Sequence, residues 1–437
     1  MSRSATTFWL AAVCTASAMP ARAQIEFERE PINYGSAPTS DRVTRLQQEL
    51  DGGGVTLTYD EEHGYLKSLL AALDVPVSSQ ALVFSKTSFQ LRRISPSRPR
   101  AIYHNDDTYV GFCQGGEVLE LASVDPEQGT VFYTLPQERV ERPRFIADRG
   151  ECLTCHASSR TQGIPGVLVR SVFSDERGQP MIGSGTFSTD HRSPLAERWG
   201  GWYVTGTHGR MRHMGNVQVR DRTRPEQLDR ESGANVIDLS AIIDTRPYLA
   251  STSDIVSLML LEHQVQMQNY LTLAGYETRH ALFYDQVMNE ALDRPADYQS
   301  ESTQRRVAAA GDKMLKYLLF AEEFPLTSPV SGSDDFRRDV EARGPRDSRG
   351  RSLRDLDLER RLLKYPCSYL IYSETFDRLP APVHTYVCGR LHRILTGADD
   401  DAAFARLTSE DRLAILEILS ETKPGLWPSL SDAGPPQ

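Results

Sequence analysis

No stretch of this chain reaches the roughly 20 consecutive apolar residues that a membrane-spanning helix requires. The apolar run at the start, Phe8 to Met19, is too short, so the mature chain is expected to be soluble. Basic charge is in deficit: 49 Lys and Arg stand against 59 Asp and Glu, a net charge of −10. A phosphate backbone would be repelled, which removes nucleic acid from the expected partners. Internal repeats and low-complexity tracts are missing too, so a repeat architecture is not in view. Cysteine is sparse, six in 437 residues. Only one C-x-x-C pair stands in the chain, with no second such pair and no H-x-x-x-H. A four-ligand structural zinc site therefore has no ready source of ligands.

What is present begins with the first residues, MSRSATTFWLAAVCTASAMPARAQ. Arg3, a short apolar middle and Ala21-Arg22-Ala23 are the parts of a secretory leader. Residues 1–23 are expected to be a signal peptide cleaved near Ala23 and Gln24, which makes the chain periplasmic or secreted. Cys14 follows Val13 rather than a small residue, which disfavours lipid attachment there. The mature cysteines are then Cys113, Cys152, Cys155, Cys367 and Cys388, an odd number that cannot all pair. If Cys152 and Cys155 are otherwise engaged, two arrangements stay open. Either Cys367 and Cys388 form a disulfide, or all three remaining thiols are free and buried.

The hydropathy pattern changes twice along the chain. Residues 24–79 are a lead-in with a short helix in SDRVTRLQQELDGG. Residues 80–249 hold short β-branched and aromatic runs, ALVFSKTSF, RAIYHNDDTYVGF, EVLELASVD, TVFYTLP, GVLVRSVFSD and GGWYVTGTHG, broken by turn formers. From 250 to 437 the period becomes helical, opening on SDIVSLMLLEHQVQMQNYL and including LRDLDLERRLLKYPCSYLIYSETFDRL. The charged stretch SGSDDFRRDVEARGPRDSRGRS is expected to be an exposed loop. The fold class expected is α+β, an antiparallel β-rich half followed by an all-helical half.

Chemistry concentrates in RGECLTCHASS, where Cys152 and Cys155 are followed at once by His156. A redox disulfide would want a long amphipathic helix downstream, and ASSRTQGIPG does not supply one. Acidic Glu151 also disfavours a thiolate at Cys152. A covalently bound haem uses every residue of the motif. Cysteines three apart on a helical turn project in similar directions, so both thiols can bond the vinyl groups along one porphyrin edge. The imidazole beside them can then reach iron. C-x-x-C-H in an exported chain is the signature of such attachment.

On Cys152, Cys155 and His156, with Gly163-Ile164-Pro165 downstream, the sequence resembles c-type cytochromes. RAIYHNDDTYVGF and RWGGWYVTGTHGRMRHMGN resemble a larger bacterial cytochrome-c-like family rather than the compact all-helical kind. The resemblance implies one haem c held by Cys152 and Cys155, with His156 as the proximal iron ligand. It also implies that the carbonyl of Pro165 accepts a hydrogen bond from that histidine. The second axial ligand is sought in TGTHGRMRHMGN, where His208, His213 and Met214 are the candidates.

Other singled-out residues have a plain reading beside the functional one. His263 and Met267 share a helix face that suits core packing, Trp199 and Trp202 suit core aromatics, and His104 and His191 are weaker ligand candidates. Asp106-Asp107 and Glu262 beside His263 would suit proton transfer, or ordinary turn and helix positions. The expected function is single-electron transfer with periplasmic redox partner proteins. The alternatives are a peroxidase- or oxidase-like haem enzyme with an open iron position, which the chain length favours, and a haem-based sensor.

Overall fold

The structure is a computed structural model that describes residues 26–148 and 150–427. The expected leader, with Cys14, lies outside them. Two helices open the described chain. α1 (Arg42–Asp51) is capped by Asp41, whose Oδ1 accepts the amides of Val43 and Thr44 at 2.9 and 3.2 Å. α2 (Leu66–Ala72) follows.

A six-stranded antiparallel meander comes next: β1 (Ala81–Val83), β2 (Arg100–His104), β3 (Thr108–Phe112), β4 (Val118–Asp125), β5 (Gly129–Pro136) and β6 (Ile146–Ala147). Alternation along the strands gives the sheet two buried faces. Leu82, Tyr103, Val110, Leu119 and Leu121 point to one side and pack with Leu66, Leu69 and Leu70 of α2. Ala81, Val83, Tyr109 and Val124 point to the other and join the large helical core. The lead-in segment is thus a covering layer of the sheet.

After a one-turn helix, α3 (Leu153–His156), a separate hairpin forms from β7 (Val169–Val172) and β8 (Thr186–Thr189). GGWYVTGTHG is not a strand. Gly201, Gly206 and Gly209 take positive φ of 84°, 137° and 58°, which interrupts extended backbone. Only isolated bridges remain there, such as Val83 with Trp202.

The second half is helical, built on α4 (Ile255–Ala291), with α5 (Glu301–Leu318), α6 (Asp334–Ala342), α7 (Glu374–Asp377), α8 (Ala381–Thr396) and α9 (Ser409–Thr422). In α4, 25 of 37 residues are buried, so this helix runs between the sheet and the other helices rather than over a surface. No helix among the described residues is long and apolar enough to cross a membrane.

Two local expectations fail in this half. The charged stretch after residue 331 contains α6, because Phe336 and Val340, four apart, give it a buried face, and Ser333 caps it. Residues 353–373 are mostly turns where a helix was expected. Leu358 adopts φ 60° inside a bridge between Leu356 and Leu363, and Pro366 has no amide to donate.

Candidate metal centre

The motif is positioned from strand β6. The Asp148 amide donates to the carbonyl of Phe132 on β5 at 2.8 Å, extending the sheet edge. The Asp148 carboxylate then accepts the amides of Gly150 and Cys152 at 2.9 and 3.0 Å and starts a single helical turn. Within it, the amides of Cys155 and His156 donate to the Cys152 carbonyl at 3.1 and 2.9 Å. Leu153 anchors the turn in a small apolar cluster with Phe27, Ile32, Phe132, Ile164 and Tyr276. Cys152 is half-buried and Cys155 exposed, and both thiols are free.

Burial pushes the Cys152 thiol up to about 12, and the Asp148 carboxylate beside it acts in the same direction. A thiol in that state is a poor nucleophile, so the site does not suit disulfide exchange. Among the described residues no three His, Cys, Asp or Glu side chains converge as a bare metal ion would require.

His156 is held in one tautomer. Its Nδ1 lies 3.0 Å from the carbonyl oxygen of Gly166, which can only accept, so Nδ1 carries the proton. Nε2 is left with a lone pair and makes no hydrogen bond among the described residues. The Gly166 amide returns a bond to the His156 carbonyl at 2.8 Å. The ring packs on Phe132 with centroids 4.8 Å apart. Burial lowers its basicity, which keeps the imidazole neutral, the form a metal ligand needs.

Gly166 is fixed in turn by α4. Asn269 Nδ2 donates to the Val167 carbonyl at 2.8 Å, and a Cβ on residue 166 would fall 2.1 Å from Asn269 Oδ1. Only glycine leaves room for the amide there.

The expected role of Pro165 moves by one residue. Its carbonyl accepts the amide of Thr130 on β5 at 3.2 Å, so the strand already claims it. Gly166, not Pro165, faces the imidazole. Asp148, Phe132 and Asn269 had no distinguishing signal in the sequence, whereas Gly166 stood in the quoted GIPG.

His208, His213 and Met214 lie together in the segment beneath the β7–β8 hairpin, and no hydrogen bond or ring contact joins them to the motif. His208 has both nitrogens committed, Nδ1 to the Met211 carbonyl at 2.6 Å and Nε2 to the Asn235 amide at 3.1 Å. His213 is buried against Trp199 and His208, with Nδ1 accepting the Gly215 amide at 3.0 Å. Met214 packs with Phe173 and Val219, its sulfur 3.8 Å from the Ser171 hydroxyl.

Among the remaining singled-out residues, Asp106 and Asp107 are partly exposed and pair with Arg354 and Arg42, and the histidines are buried polar groups. His104 bonds Ser257 and Gln264, and His191 bonds His263 through their Nδ1 atoms at 2.8 Å. Trp199 is fully buried, and Trp202 Nε1 donates to the Arg170 carbonyl at 2.8 Å. Cys113, Cys367 and Cys388 are buried free thiols, which selects the second of the two arrangements left open by the sequence. No protein-family model, curated protein or solved structure matches the chain.

Proposed function

We propose that this chain is an exported c-type haem protein that carries one haem and exchanges single electrons with partner proteins. The observation that carries the reading is the tautomer lock on His156. A neutral imidazole with Nδ1–H spent on the Gly166 carbonyl and Nε2 free is what axial ligation of iron demands. The donor set fits the group in its other parts. Cys152 and Cys155 precede the histidine on one helical turn as free thiols, whose S–H bonds would add across the two vinyl groups. Haem bound there supplies a one-electron couple. The protein's part is to hold the imidazole through Gly166, to pack Phe132 on its ring and to attach the porphyrin edge through two sulfurs. Export to the periplasm, read from the leader, agrees with where such attachment occurs.

One observation favours a second reading, a haem enzyme with an open iron position. His208 has no free nitrogen, and the Met214 sulfur is packed inside a separate cluster, so neither is poised to fill the far side of iron. Spectra separate the two. A carrier gives a low-spin reduced spectrum unaltered by carbon monoxide, and an open site gives one that shifts. Both readings require haem to survive on a denaturing gel of the wild type and to be lost from Cys152→Ala/Cys155→Ala. Haem staining of the double variant equal to wild type would sink them together.

A further inference from the structure

The haem reading leaves unused a cluster of titratable side chains inside the molecule. α4 presents Glu262 to the loop that follows β8. Glu262 is completely buried, and its Oε2 accepts from Arg198 Nη1 at 3.1 Å. Oε1 has no hydrogen-bond partner among the described residues. The hydroxyl of Thr189 lies beside it and is also without a partner. Arg198 divides its remaining donors between the carbonyls of His191 and Ser193.

An ionised carboxylate has about four acceptor sites, and one bond is little compensation for a charge taken out of water. The protonated form differs in a definite way. An O–H on Oε1 would find the Thr189 oxygen as its acceptor, while Oε2 keeps Arg198. Each protonation state therefore has part of its hydrogen bonding built in, and neither is fully served.

The surrounding charges have been assigned elsewhere. Asp190 pairs with Arg192 at 2.7 Å, and Arg192 reaches Glu322 at 3.5 Å. Glu323 accepts the Leu362 amide at 2.8 Å. His191 and His263 share a proton between their Nδ1 atoms, and His263 Nε2 meets the Ser368 hydroxyl at 2.8 Å. Burial depresses both histidines, so neither takes up a proton near neutrality. Burial raises Glu262 to about 7, against the pull of Arg198, and raises Glu323 to about 7 as well.

α4 links this cluster to the motif. Asn269, which fixes the backbone beside Gly166, lies seven residues from Glu262, roughly 10 Å along the helix axis. The hairpin gives a second link, since Thr189 beside Glu262 pairs with Val169, three residues beyond Gly166. The imidazole lies farther off than Asn269, and a unit charge in a protein interior still acts across such a span. We infer that Glu262 is a redox-linked proton site, taking one proton from solvent when the iron held by His156 accepts an electron from a partner protein and releasing it on reoxidation. The added electron and the added proton balance, so the interior gains no net charge. This rests on the haem reading above.

The test is a redox titration of the holoprotein between pH 5 and 9. Wild type is expected to show a midpoint potential that falls as pH rises through about 7. Glu262→Gln, which keeps the shape and cannot ionise, should flatten that fall. Thr189→Val removes the hydroxyl beside Oε1 that can accept from its O–H or donate to its ionised form, and should shift the inflection, which keeps the test available if the glutamine variant fails to fold. A flat profile in haem-loaded wild type, or an inflection unmoved in either variant, would overturn the proton site and leave the haem reading standing. Wild type purified without haem would overturn both.

Discussion

His156 owes its readiness as a ligand to a chain of three contacts. Gly166 holds Nδ1, Asn269 holds the backbone after Gly166, and α4 holds Asn269. Gly166→Ala should break this chain, because its methyl carbon would sit 2.1 Å from Asn269 Oδ1. Overpacking of this kind costs about 1–3 kcal/mol, and here it would also push the carbonyl away from the imidazole. The expected outcome in urea unfolding is a lower midpoint with an unchanged slope. Gly166→Ala/Asn269→Ala should recover most of the steric part, because the obstructing amide is gone. At this scale the C-x-x-C-H spacing of Cys152, Cys155 and His156 stood out in the sequence, and the structure places the three on one helical turn. Pro165 was read in the place that Gly166 takes, since both offer carbonyls and the Thr130 amide claims that of Pro165.

α4 is the element on which both the sheet and the motif rest, and its first turn is set by Asp254. Oδ1 accepts the amides of Val256 and Ser257 at 2.8 and 2.9 Å, and Oδ2 accepts the amide of Ser333 ahead of α6. Loss of an N-cap costs about 0.5–2 kcal/mol, and a buried amide left without its acceptor adds about 1–3 kcal/mol. Asp254→Ala is therefore expected to destabilise by roughly 2–4 kcal/mol in chemical denaturation. Asp254→Asn keeps an oxygen for the cap and should cost less. Equal losses in the two variants would mean that the charge, rather than the cap, matters. The start of α4 was readable because Ser253-Asp254 precedes a long proline-free pattern. α6 was hidden by its charge, since two apolar residues in nine carry its packing. The turns of residues 353–373 were hidden by their leucines, which are buried without being helical.

At the scale of the whole molecule, the two-part order of strands then helices was legible, while the way the parts meet was not. The sheet uses both faces, one under α2 and one against α4. His104 at the second junction, His263 among the helices and His213 beside Trp199 are all buried. Burial lowers His104 to about 4, and His213 and His263 to about 3, from 6.5. Above pH 6.5 these side chains are neutral in both folded and unfolded chains and do not affect the balance. As pH falls below 6.5 the unfolded chain takes up protons that the fold refuses, so stability should decline until pH approaches 4 to 3. A series of urea midpoints from pH 8 to pH 4 should show that decline, and His263→Gln should make it shallower. An equal slope in the variant would show that His263 does not contribute.

Cys152 and Cys155 are proposed to anchor one haem beside a histidine whose free nitrogen meets iron. Mass spectrometry of the peptide containing residues 150–160, from protein exported by a host able to attach haem to C-x-x-C-H motifs, tests it most directly. One haem on that peptide, bonded through both cysteines, is the expected result. A peptide carrying two free thiols, or a Cys152–Cys155 disulfide with no haem, would contradict it.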